Sequence, residues 1–215
     1  MKNKVLRELI KHFIYILFLP IVLFTISIRP IKFIKFCELR IETFGTLLPG
    51  IEGYLRAKKF SDVFKKNLII FYFYPKYSSD QLKIMVEREI QVSSNRAFFK
   101  ILSNAFLFWG IKSHIFSLEG VSILNCADFQ KSRTVLSFTD EERKRGKELL
   151  NNLGIKSGDK WICIHNRDEK YLEKMMPNEW PSKYESWTYH SYRNFSISSM
   201  KSATEFLASK GYFVL

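Results

Sequence analysis

The chain has 215 residues, room for about one domain or one and a half small ones at roughly 150 residues per domain, which excludes a large two-domain enzyme. An apolar share of 47%, 26% charged residues, 9 Gly and 6 Pro exclude a disordered, collagen-like or low-complexity chain. The formal charge is +13, and the first 40 residues hold eight basic against two acidic residues, so nearly half of the excess surrounds one hydrophobic stretch and points to anionic lipid before nucleic acid.

That stretch runs from Phe13 to Ile28 without a formal charge. As a helix its 16 residues would extend about 24 Å, a tight fit to a hydrocarbon core of roughly 30 Å. Pro20 lies mid-run and predicts a kink, because it removes one backbone hydrogen bond. Lys2, Lys4, Arg7 and Lys11 precede the run, and Arg29, Lys32 and Lys35 come after it. Such balanced flanks set no orientation, so a monotopic or re-entrant anchor over residues 1–30 is expected, with residues 1–36 on an anionic membrane surface. No small-residue cleavage site follows the run, which argues against secretion. Cys37, Cys126 and Cys163 lie far apart, giving neither a disulfide framework nor a cysteine zinc site and suiting a reducing compartment.

Further along, short β-type runs alternate with helical stretches, the pattern of βαβ units and a parallel sheet. Lys32–Leu39 reads as a strand, Arg40–Gly45 as a turn, and Leu47–Lys58 as a helix with Pro49 near its start. Asn67–Tyr74 is continuous in Ile, Phe and Tyr, as a strand buried on both faces should be. Ser79–Glu89 reads as a helix, Ile90–Val92 as a short strand, Ala97–Trp109 as a helix and His114–Ser117 as a strand. Thr139 with Glu142 forms a capping box, so a helix is expected from there to Gly154. Lys156–Lys160 is a polar hinge and the expected boundary between two units. Trp161–Ile164 as a strand, Ile197–Ser209 as a helix, Gly211 as its stop and Tyr212–Leu215 as a strand complete one βαβ. The chain stops inside that last strand, where two strands cannot close a core, so the second unit is expected to be cut short.

Four polar residues, His165, Asn166, Arg167 and Asp168, directly follow the Trp161–Ile164 strand. Ligands of open α/β sheets bind at that end of a strand. Arg167 suits a bidentate grip on phosphate, Asp168 suits holding its guanidinium, and His165 suits donation to an anionic oxygen or service as a base. A second cluster, Tyr189 to Asn194, contains His190 and Arg193. Ser196, Ser198 and Ser199 come where the next helix is expected to begin, so its free N–H groups would face an anion as well. The two clusters together suggest a site for a phosphorylated ligand.

The blocks Ile164–Asp168 and Tyr189–Asn194 resemble a family of bacterial glycosyltransferases that carry H-x-R-D and Y-H-x-Y-R motifs. Arg40-Ile41, Gly45 and Glu52-Gly53-Tyr54-Leu55 resemble, more loosely, that family's opening strand, glycine turn and E-x-Y-L helix. The resemblance implies surface-polysaccharide biosynthesis and a GT-B fold. An N-terminal Rossmann-like domain would occupy residues 31–155, and residues 156–215 would form the first βαβ of a donor-binding Rossmann-like domain, all behind an N-terminal apolar helix. It also implies a nucleotide-sugar donor and a glycan or lipid-linked acceptor, at the cytoplasmic face of a bacterial inner membrane. His165 and Asp168 would be the catalytic residues, and Arg167, His190 and Arg193 would bind the donor phosphates. A more distant likeness is to the H-x-R-R motif of GDP-fucose fucosyltransferases, but Arg167 stands alone here, so fucose and GDP do not carry over.

No D-x-D triplet occurs, and His12, His114, His165 and His190 show no ligand spacing, so a metal-independent transfer without a cofactor is implied. In it cationic side chains take up the charge growing on the leaving diphosphate. Neither G-x-x-x-x-G-K-[ST] nor G-x-G-x-x-G is present, which removes ATPase and dinucleotide readings. The 20 Phe and 10 Tyr fall mostly in strand-like or membrane-like runs, so core packing accounts for them and no nucleic-acid partner is expected. The alternative to an enzyme is a non-enzymatic, membrane-associated remnant or interaction protein.

Overall fold

The computed structural model describes residues 2–41, 44–60, 67–118, 133–166, 169–177 and 186–215. They fall into two compact units, Met1–Ser137 and Phe138–Leu215. Both are of α/β type.

The first unit contains α1 (Lys2–Leu17), α2 (Leu19–Ser27), β1 (Phe33–Ile41), α3 (Phe44–Phe60), β2 (Asn67–Tyr77), α4 (Asp80–Glu89), β3 (Val92–Ser93) and α5 (Arg96–Phe108). Its sheet has the order β1-β2-β3 with both pairs parallel, Phe33 opposite Asn67 and Phe71 opposite Val92. Strand alternation then divides the core in two. Cys37, Leu39 and Phe71 pack with Ile51, Tyr54 and Leu55 of α3 and Leu82 and Val86 of α4. On the other face Phe36 and Tyr72 pack with Val22 of α2 and Leu102, Ala105 and Phe106 of α5. Helices therefore cover both faces, as a parallel sheet demands. The Tyr72 hydroxyl donates to Ser103 Oγ at 3.0 Å, which satisfies a polar pair inside the second cluster.

Pro20 interrupts the N-terminal helix as its chemistry predicts, with the break at Phe18 between α1 and α2. The Val22 N–H still reaches the Phe18 carbonyl at 3.0 Å. Together Val5–Ser27 make 23 residues, long and apolar enough to cross a membrane by length and composition. This exceeds the uncharged run read from the sequence, because α1 begins in its charged flank. Yet α2 is also part of the first unit's packing, with Val22 and Thr25 buried.

Several expectations fail in the first unit: where a turn was expected over Arg40–Gly45, β1 runs to Ile41 and α3 begins at Phe44, and the short strand is Val92–Ser93, not Ile90–Val92. Pro49 lies inside α3, which begins at Phe44. The expected strand His114–Ser117 is instead a 3-10 turn, Lys112–His114, with a single parallel bridge from Ile115 to Phe36 after it. His114 turns inward before the bridge, its ring buried and stacked on Phe106 at 4.7 Å, with Nδ1 2.7 Å from the Ile34 carbonyl. That contact occupies the carbonyl which a ladder extended toward residue 113 would need for a main-chain N–H.

The second unit contains α6 (Asp140–Asn152), β4 (Trp161–Ile162), α7 (Lys170–Met175), 3-10 turns at Trp187–Arg193 and Ile197–Met200, α8 (Lys201–Ser209) and β5 (Phe213–Val214). The capping box forms, Thr139 Oγ1 accepting from Glu142 N at 3.2 Å and Glu142 returning to Thr139 N at 2.8 Å. Gly154 and Gly211 end α6 and α8 at φ 85° and 80°, in the left-handed region that glycine tolerates. Strands β4 and β5 pair in parallel, as a βαβ requires. The strand is shorter than Trp161–Ile164, although the Ile164 N–H still donates to the Leu215 carbonyl at 2.8 Å. The expected helix Ile197–Ser209 is divided, its first turn being 3-10.

Candidate functional site

The candidate residues of the second unit start at the carboxyl end of β4. The last ladder bond is made by Ile164, so His165 is the first residue beyond the sheet, and it is exposed. Asn166 is exposed too, and its Nδ2 donates to the Phe195 carbonyl at 3.3 Å. Glu169, just ahead of α7, accepts from Asn194 Nδ2. Asn166 and Glu169 are thus tied to Phe195 and Asn194, though 29 and 25 residues separate the partners along the chain.

The second block is held from below. Trp187 is buried with Leu172 and Met176, and its Nε1 donates to the Met176 carbonyl at 2.9 Å. Tyr189 stacks on Trp187 at a centroid distance of 6.0 Å. The aromatic positions of this motif therefore divide: Trp187 and Tyr189 pack, whereas Tyr192 is exposed and carries the Arg193 guanidinium 5.4 Å above its ring. Arg193 is exposed and available to an anion. His190 lies within the 3-10 turn Trp187–Arg193. Arg167 and Asp168 lie outside the described residues.

The expected anion-facing helix start is occupied locally. Ser199 N–H and Oγ both donate to the Ser196 carbonyl, at 2.9 Å and 2.7 Å, and the Ser196 and Ser198 hydroxyls pair at 2.6 Å. These serines satisfy one another because a 3-10 turn, with its shorter hydrogen-bonded loop, precedes α8. The Asn194 Oδ1 atom is buried without a partner. It is an acceptor at the end of the Tyr189–Asn194 block that motif reading did not single out.

A second polar cluster lies at the carboxyl ends of β1 and β2 in the first unit, and sequence reasoning missed it. Glu38 meets Lys100 at 2.6 Å and Arg96 at 3.6 Å. Arg40 and Arg96 lie 4.8 Å and 5.6 Å from the centroid of the Tyr74 ring. The available signal was spacing: Glu38 and Arg40 share one strand face, and Arg96 and Lys100 one helix face. The same face turns from apolar at Phe36 and Tyr72 to charged at the strand ends, with two guanidinium groups and one ammonium against one carboxylate. Glu52, part of the E-x-Y-L stretch, has a structural task instead. Its buried carboxylate accepts from Val135 N at 2.8 Å, Leu136 N at 3.0 Å and Arg56 Nε at 2.6 Å.

Among the described residues no three of His, Cys, Asp and Glu converge as metal ligands would. Compared with protein-family models, curated proteins and solved structures, the chain has no match in any of the three.

Proposed function

We propose that the chain is a membrane-associated, metal-independent glycosyltransferase of GT-B type, taking a sugar from a nucleotide-sugar donor for a glycan or lipid-linked acceptor in surface-polysaccharide synthesis. The observation that carries the reading is a pair of contacts beyond the carboxyl end of β4, Asn166 with Phe195 and Glu169 with Asn194, which bring the edges of the H-x-R-D and Y-H-x-Y-R blocks together. Ligands of parallel sheets bind at such an edge. In the proposed reaction Arg167 and Arg193 offset the charge growing on the leaving diphosphate, and His190 is assigned to the same donor phosphates. His165 takes the acceptor's proton, and Asp168 orients the neighbouring cation. The long apolar helix Val5–Ser27 and its basic flanks support placement at the cytoplasmic face of a bacterial membrane.

Calorimetry with a panel of nucleotide sugars tests this. Binding that disappears in Arg167→Ala, with an unchanged far-ultraviolet circular dichroism spectrum, is the expected result; undiminished binding in that variant refutes the phosphate role. The second reading, a non-enzymatic interaction protein, is favoured by the open β4–β5 pair, where Trp161, Ile162 and Phe213 are all exposed. Silence toward every donor would select it.

A further inference from the structure

Helices α1 and α2 carry two apolar stripes at helical spacing. One faces the domain. His12 and Tyr15 place their rings 5.1 Å and 5.3 Å from Phe108, Phe18 lies 5.5 Å from Phe98, and Val22 and Thr25 are buried. The other stripe, Leu6, Ile10, Phe13, Leu17 and Phe24, faces away, with Phe24 65% exposed where Val22 is 0%. A helix standing alone across a bilayer would have to leave α5 and uncover Val22, Leu102 and Phe106, which are buried together. Burial of side chains of that size is worth about 1.5–3 kcal/mol each. A helix lying on the domain keeps that contact and still offers its outer stripe.

Exposed apolar residues also gather at the end of α5. Leu107, Phe108 and Trp109 are 45%, 42% and 39% exposed, and Phe108 touches α1 through His12 and Tyr15. Their position is fixed by a left-handed Gly110 at φ 75°, with Gly110 N donating to Leu107 O at 3.0 Å and Ile111 N to Phe106 O at 2.8 Å. Exposed Arg7, Lys11 and Lys112 flank this surface in sequence. Glu8, the one acid among residues 1–36, is already paired with Lys11 at 2.7 Å. Apolar side chains, a Trp and basic residues in neighbouring elements are the composition of an interfacial membrane contact.

We infer that the first unit docks side-on to an anionic lipid leaflet, with α1 and α2 lying in the membrane plane and Leu107–Trp109 at the end of α5 inserting beside them. This deepens the membrane part of the proposed function and does not depend on sugar transfer.

The test uses the full chain and vesicles of phosphatidylethanolamine with phosphatidylglycerol. Leu107→Glu/Trp109→Glu is expected to weaken partition about tenfold or more, whereas Phe206→Glu in the second unit leaves it unchanged. In the unaltered chain, fluorescence that is absent from Trp109→Phe should be quenched by brominated lipid, more by bromines near the headgroups than near the chain ends. Wild-type partition in the double variant, or an unquenched Trp109, overturns the insertion of α5 while leaving the anchor standing. A chain that ignores anionic vesicles, or a lipid-free dimer broken by Phe13→Glu, overturns the membrane contact altogether.

Discussion

His114 meets the neighbouring strand with its ring. Its Nδ1 faces a carbonyl at 2.7 Å, so that nitrogen bears the proton, and Nε2 is left buried without a partner. This is the neutral tautomer, and a second proton would have no acceptor. Burial, opposed by the Ile34 carbonyl and joined by the charges of Arg29 and Lys35, lowers the pKa below its usual 6.5. The unfolded chain therefore takes up a proton at a higher pH than the folded one. Stability should be flat above about pH 6.5 and fall as the pH drops below it toward the folded value. Urea midpoints across that range should show the slope, and His114→Gln should flatten it; an equal slope in the variant would refute the assignment. The inward turn of His114 was not legible in the sequence, where Ile115 and Phe116 read as strand and nothing marked the Ile34 carbonyl as its partner. The same holds for the site. His165, Arg193 and Asn194 were visible as motif residues, but the contact of Asn194 with Glu169 depends on a loop closure that local pattern does not encode.

At the scale of elements, legibility tracks how strongly a segment's own residues specify it. Strand β2 stands where Ile, Phe and Tyr run together, α6 starts at its capping box, and Gly154 and Gly211 stop their helices. Helix α7 and the Trp187–Arg193 turn escaped because they depend on the buried group of Leu172, Met176 and Trp187, whose members show no period along the chain. Glu52 on α3 is a further long-range link, since it receives two main-chain N–H groups from 135–136 as well as Arg56. Removing it takes the acceptor from both main-chain donors. Glu52→Ala should therefore lower unfolding stability by about 3 kcal/mol, read from urea denaturation, and a loss below about 1 kcal/mol would show the clasp to be idle.

On the scale of the molecule, the two units differ in what holds them. Among the described residues, the first has a parallel sheet covered on both faces by two buried clusters, the second a pair of two-residue strands and one cluster of three buried side chains. Local stability tracks buried apolar contact. In hydrogen exchange monitored by mass spectrometry, amides of β4 and β5 should exchange at least tenfold faster than those of β1 and β2; equal protection would contradict a division into units of unequal strength. The parallel sheet also carries an order of assembly. Pairing β2 with β3 closes the shortest loop, β1 with β2 a longer one, and the Ile115 bridge to Phe36 the longest. Because the entropy lost in closing a loop grows with its length, the carbonyl that ends up serving His114 is among the last groups to find its mate. A chain emerging from the ribosome would hold that histidine in water until nearly everything before it had condensed.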